Sequence, residues 1–197
     1  MSSRDDILVQ LRHSTPEEEA YPDLNESWTT YPDQIVKFQE SVAGVGGHAV
    51  RLDSGADLTE TITRMEVYQA TKKVASCSTH TRIENVSLDN ISDPHALEDL
   101  DLFIADGSIG VAENGAIWLT DEKIPHRVAL FITQHLILTV ESRCIVHNMH
   151  EAYQQIATVR PGFGIFISGP SKTADIEQSL VTGAHGARSL TVFILDG

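Results

Sequence analysis

Glu113 stands in "VAENGAIW", directly ahead of an Asn-Gly pair, and Asp106 closes the apolar run "DLFIAD". A carboxylate beside a glycine-bearing turn can act as nucleophile or general base where that turn lies over a cleft. The plainer reading makes Glu113 a solvated hairpin residue and Asp106 an ordinary strand end. A second constellation lies in "ISGPSKTADIE". Gly169 permits close backbone approach, Ser171 and Thr173 offer hydroxyls, and Lys172 offers a charge. If a strand ends at Ser168 and a helix begins after Thr173, the free N–H groups of that helix would face a bound anion. The competing reading is a capped turn, with Thr173 as N-cap and Asp175 and Glu177 complementing the helix dipole. The upstream glycine and spacing of a Walker A loop are missing. His185, in the glycine-bounded turn "GAHGAR", is close enough in sequence to join this site.

Metal chemistry finds less support. His147 and His150 in "HNMH" could share a helix face, but no third ligand stands at a recognisable spacing, so no metal site is expected. Cys77 and Cys144 are the only cysteines. Two distant thiols make no disulfide framework and cannot alone ligate an iron–sulfur cluster. They read as reduced, mostly buried side chains of a cytoplasmic protein. The 28 Asp+Glu against 14 Lys+Arg give a formal charge of −14. Nucleic-acid binding needs a basic face that this balance does not supply. The polar start "MSSRDDILVQLRH" is unlike a signal peptide, and "VALFITQHLILTV" is too short and too interrupted to span a bilayer.

These side chains need elements to position them. At 197 residues the chain suits one sizeable core. Residues 3–12 read as a short amphipathic helix, followed by an acidic, proline-bearing arm over 14–32 with no periodicity. That divides the chain into an N-terminal helix and arm (1–32) and one α/β domain (33–197). Asp33 can cap a helix carrying Ile35, Val36, Phe38 and Val42 toward the core, and "HAVRL" then begins a strand. "DLTETITRMEVYQATKK" has a helical pattern; "KVASC" and "DLFIADG" read as strands, with a weak helix near 94–100 between them. Asn114-Gly115 marks a hairpin within "SIGVAENGAIWLTD". "VALFIT" and "HLILTV" are apolar runs of strand length. A helix over 148–158, a strand over 163–168, a helix over 174–182 and the strand "SLTVFIL" complete the chain. The alternation predicts an α/β fold, with a mostly parallel sheet flanked by helices and one antiparallel hairpin.

"GPSKTADIEQSLVTGAHGARSLTVFIL" resembles the closing segment of the lactate-utilization protein C family, the LUD domain. "ADGSIGVAENGAIWL" and "KFQESVAGVGGHAV" carry a weaker likeness to that family's hairpin and to its helix ending in a double glycine. The resemblance covers most of residues 35–197 and leaves the arm unmatched. It implies a NagB/RpiA/CoA transferase-like fold, that of ribose-5-phosphate isomerase and the CoA transferases. It also implies a part in oxidising L-lactate to pyruvate alongside separately encoded iron–sulfur subunits, with a small anionic metabolite or a cofactor phosphate as ligand. Glu113-Asn114-Gly115 separately resembles the motif that carries the attacking glutamate of CoA transferases. That supports a second reading, an acyl- or CoA-handling transferase or hydrolase using Glu113. A third is a non-catalytic, ligand-sensing scaffold. The cofactor stays unknown, and a homo-oligomer is compatible with each reading.

One geometric expectation ties the residues together. Asp106 and the Gly169–Thr173 loop should lie at the carboxyl edge of the sheet, where open α/β sheets bind ligands. Glu113 should fold back over the same pocket, toward Lys172.

Overall fold

The computed structural model describes residues 3–13, 21, 27–53, 56–156, 162–174 and 180–196. Helix α1 (Ser3–His13) comes first, and α2 (Gln34–Gly44) is the first helix of the core. Asp33 starts α2: its carboxylate accepts the N–H groups of Ile35 (2.9 Å) and Val36 (3.0 Å), donors that a helix start leaves unpaired. Phe38 and Val42 are fully buried, but Val36, expected to face inward, is 49% exposed. Val36 lies two positions before Phe38, which turns it roughly 200° away from the core stripe.

Strand β1 (His48–Leu52) follows. The single helix expected next is two, α3 (Leu58–Thr63) and α4 (Glu66–Ala70), parted at Arg64 and Met65. Thr61 and Thr63 donate their hydroxyls back to the carbonyls of Asp57 and Glu60, a bonding pattern that bends and weakens a helix. Then come β2 (Val74–Ser76), β3 (Leu102–Asp106), β4 (Ile109–Val111) and β5 (Ala116–Thr120). The weak helix before β3 is a short 3-10 turn, Pro94–Leu97. The chain continues through α5 (Ala129–Ile132), β6 (His135–Glu141), β7 (Ile145–Val146), α6 (Met149–Gln155) and β8 (Gly164–Ile167). It ends in β9 (Lys172–Ala174), β10 (Leu180–Thr182) and β11 (Ser189–Leu195).

Five strands run parallel in the order β1-β11-β6-β3-β2. A second sheet, β7-β4-β5-β8, holds the expected antiparallel β4–β5 hairpin and a further antiparallel pairing of β5 with β8. The fold is therefore α/β with a mostly parallel central sheet flanked by helices. Strand alternation explains the layers. Leu190, Val192 and Ile194 of β11 share one buried face with Phe103, Leu136 and Leu138, closed by Phe38 of α2 and by Ile117 and Leu119 of the second sheet. Phe193, Leu102, Ile104 and Ile137 form the opposite face, closed by Leu58 and Ile62 of α3. Ala152 of α6 covers the far side of the second sheet. Each large side chain buried this way contributes about 1.5–3 kcal/mol before entropy is counted.

Two expectations fail here. "VALFIT" is not a strand: the N–H groups of Phe131 and Ile132 both return to the carbonyl of Val128, and α5 is one helical turn. A short apolar run does not distinguish strand from buried helix by periodicity. The helix expected over 174–182 is also absent at both of its ends. Lys172–Ala174 pairs antiparallel with Leu180–Thr182, while 175–179 lie outside the described residues. The β-branched Thr173, Val181 and Thr182 suit that pairing better than a helix. Most of the arm (14–20 and 22–26) and the end of the 148–158 helix (157 and 158) also lie outside them.

Candidate functional site

Asp106 is the last residue of β3, at the carboxyl edge of the parallel sheet, and borders a cavity of about 480 Å3. Three groups hold its carboxylate. The N–H and the hydroxyl of Thr79 donate to Oδ2 at 2.7 and 2.8 Å, and the hydroxyl of Thr139 donates to Oδ1 at 2.8 Å. Burial pushes this carboxyl up, but hydrogen bonds from Ser78, Thr79 and Thr139 outweigh it and hold Asp106 below the usual carboxylate range. The group is an ionised, fixed acceptor at neutral pH.

Lys123, Arg143 and His80 supply positive or protonatable groups to the same cavity. Arg143 is bonded to Glu141 at 2.5 Å, whereas Lys123 makes no ion pair among the described residues. Both cysteines line the cavity too, Cys77 just beyond β2 and Cys144 just ahead of β7. Burial, then the carboxylates of Glu84, Asp89 and Asp106, push the Cys77 thiol up to about 11. At neutral pH it is a protonated thiol and a poor nucleophile. His80 also borders a smaller cavity of about 260 Å3 beside Asp53 and Asp57, so polar space runs along this edge of the sheet.

Glu113 is not part of this cavity. It sits in the β4–β5 turn, where its Oε1 accepts the N–H of Met149 at 2.9 Å, at the start of α6. Gly115 (φ 66°) lets that turn pass so close to α2 that a Cβ there would lie 2.7 Å from the Val42 nitrogen. Ser41 and Ser168 then tie the turn down through the carbonyls of Ala112 and Asn114, each at 2.7 Å. Glu113 is thus a helix-terminal acceptor on the second sheet.

The Gly169–Thr173 loop also departs from expectation. It follows β8, which belongs to the second sheet, and so it does not lie at the carboxyl edge of the parallel sheet. No helix start follows it, because Lys172 and Thr173 are in β9. Gly169 (φ 73°) packs against the end of α2, where a Cβ would meet the Val45 carbonyl at 2.7 Å. Ser168, Gly169 and Ser171 share a cavity with His185, beside Leu136 near the amino end of β6. His185 thus borders the same cavity as the loop, and Asp106 does not. Glu113 and Lys172 share none of the cavities described here.

His147 and His150 do other work. Nδ1 of His147 accepts the N–H of Tyr31 at 3.1 Å, and the ring of His150 stacks on Trp28 with centroids 3.4 Å apart. Asn148 also donates to the Thr29 carbonyl. The end of the arm is fastened by these contacts to α6 and to the residues just ahead of it. Sequence reasoning also missed Thr79, Thr139 and Lys123. Thr139, 1% exposed within an otherwise apolar strand, was the available signal. A buried hydroxyl needs a partner, and Asp106 is that partner.

The model of the LUD domain family matches residues 92–195, which include Asp106, Thr139 and the whole Gly169–Gly186 region. The chain belongs to the LUD domain family. Lactate utilization protein C of Oceanobacillus iheyensis is 30% identical to it over 105 residues, 50% of this chain and 45% of that protein. The protein of the same name from Geobacillus thermodenitrificans is 35% identical over 97 residues, 46% of this chain and 40% of that one. This LUD protein therefore matches less than half the length of each of these relatives. A crystal structure of a DUF162 family protein from Deinococcus radiodurans superposes with a TM-score of 0.63 at 16% identity, over 82% of this chain and 96% of that one. That likeness establishes the fold. No helix among the described residues is long and apolar enough to cross a membrane.

Proposed function

We propose that this LUD domain protein serves lactate utilization by binding a small 2-hydroxy acid, L-lactate, in the carboxyl-edge cavity. The observation that carries the reading is Asp106, an ionised carboxylate fixed by Ser78, Thr79 and Thr139 and facing a cavity that Lys123 also lines. A hydroxy acid presents one hydroxyl donor and one carboxylate. Asp106 accepts the hydroxyl hydrogen bond, and Lys123 pairs with the carboxylate. A carboxyl held below its usual range is a weak base, so Asp106 orients the hydroxyl and does not take its proton. The relatives' name supplies the choice of lactate, and the charges in the cavity supply the binding mode.

The cavity is larger than lactate alone requires, which leaves room for a cofactor phosphate beside Arg143. Oxidation of L-lactate to pyruvate releases two electrons and two protons, and two thiols cannot hold the cluster that would receive the electrons. The electrons would pass to separate iron–sulfur partner subunits and the protons to solvent. Titration of the full chain with L-lactate tests the reading: saturable binding that Asp106→Asn weakens is expected, and no binding contradicts it.

A further inference from the structure

We infer that the carboxyl-edge cavity takes a polyhydroxy monocarboxylate, a short sugar acid, and that lactate's hydroxyl and carboxylate fill only part of it. The inference rests on the lactate reading, since it keeps one hydroxyl on Asp106 and the carboxylate on Lys123. It adds what the remaining wall of the same cavity selects. Lactate has six non-hydrogen atoms. Even at a water molecule's share of about 30 Å3 for each, they fill less than half of the cavity's volume of about 480 Å3.

The rest of the wall is largely polar and unengaged. Thr120 is the last residue of β5, and its hydroxyl makes no capping bond to the 3-10 turn that follows, Asp121–Lys123. Glu122 stands in that turn, lines the same cavity and makes no ion pair or hydrogen bond among the described residues. Ser108 donates its hydroxyl to the Trp118 carbonyl at 3.3 Å and keeps its lone pairs for a ligand donor. A ligand hydroxyl can donate to Glu122 or Ser108 and exchange a bond of either sense with Thr120. A hydrocarbon side chain in their place would strip their water and return no hydrogen bond.

Charge sets the number of ligand carboxylates at one. Asp106, Glu122 and Glu141 line the cavity against Lys123 and Arg143, and Arg143 is already bonded to Glu141. His80 adds a charge only when protonated. Lys123 is left for a single carboxylate, and a second would face Asp106 or Glu122 with no cation of its own.

Calorimetric titration of the full chain with L-lactate, L-glycerate, L-erythronate and D-threonate tests the proposal. The last three keep lactate's configuration at the hydroxyl carbon and add further hydroxyls. At least one of the two trihydroxy acids should bind about tenfold tighter than lactate, the worth of one charge-assisted hydrogen bond. Glu122 is exposed, so Glu122→Gln should fold, and it should bring the ratio of the two affinities close to one. Asp106→Asn should weaken both acids and keep their ratio. L-Malate, with a second carboxylate, and erythritol, with none, should both bind more weakly than the trihydroxy acids. Lactate binding as tightly as every hydroxylated acid would overturn this inference and leave the lactate reading standing. Malate or erythritol binding as tightly as the trihydroxy acids would overturn the selection of a monocarboxylate. Binding by none of the acids would overturn both readings.

Discussion

Thr139 stands directly opposite Asp106 across the β3–β6 pair, and its hydroxyl donates to Asp106 Oδ1 at 2.8 Å. The carboxyl end of β3 is thus joined to β6 by one charge-assisted hydrogen bond beside the cavity. Thr139 is 1% exposed, so its hydroxyl has no route to water. Thr139→Val keeps the shape and removes the donor. It should destabilise the protein by about 1–3 kcal/mol and weaken ligand binding in the cavity, measured by chemical denaturation and by titration. Unchanged stability and binding would show that Thr79 and Ser78 hold Asp106 without it.

Asp106 also sets a pH dependence. Its carboxyl is lower in the folded protein than in an unfolded chain. Such a group contributes stability that is fully present above the unfolded value, about pH 4, and is lost as pH falls through the lower folded value. The stability difference between the protein and Asp106→Asn should be constant from neutrality down to about pH 5 and shrink below about pH 4. Denaturation series at several pH values read this directly. A difference that grew on acidification would reverse the sign and contradict the hydrogen-bond account.

Cys77, with its thiol pushed up to about 11, should alkylate slowly at neutral pH, and its rate should still be rising above pH 9. Iodoacetamide labelling of a Cys144→Ser variant, followed by mass spectrometry, isolates it. A rate already level by pH 9 would place the thiol in an ordinary environment.

Glu113 accepts the first N–H of α6, so Glu113→Ala should cost about 0.5–2 kcal/mol of stability, as the loss of a helix-terminal acceptor does. Ligand binding in the Asp106 cavity should be unaffected. A Glu113→Gln protein of unchanged stability that had lost turnover would instead restore the acyl-transfer reading.

Much of this architecture was legible beforehand because it rests on local rules. Asp33 is a strong cap, "HLILTV" and "SLTVFIL" are buried parallel strands read from unbroken apolar runs, and Asn114-Gly115 marks a real turn. Asp106 was placed at the correct edge for the same reason: a polar residue ending an apolar strand. The failures were non-local. Nothing in "GFGIFISGPSKT" says that β8 joins the second sheet, and that choice moves Gly169–Thr173 away from Asp106. Glu113 was placed by analogy with a motif, while its partner, the Met149 N–H, lies 36 positions along the chain. Trp28 and Tyr31 fell in a stretch without periodicity, and only the tertiary fold brings His150 and His147 to them.

The central claim is that Asp106 anchors a small hydroxy acid at the carboxyl edge of the sheet. Calorimetric titration of L-lactate into the full chain and into Asp106→Asn tests it most directly, with hydroxyl-free propionate as the control ligand. The account predicts saturable lactate binding that Asp106→Asn weakens by about ten- to a hundredfold, the loss of one charge-assisted hydrogen bond. It also predicts propionate binding that is weaker and indifferent to the substitution. Lactate binding unchanged in Asp106→Asn, or absent from the unaltered protein, would contradict it.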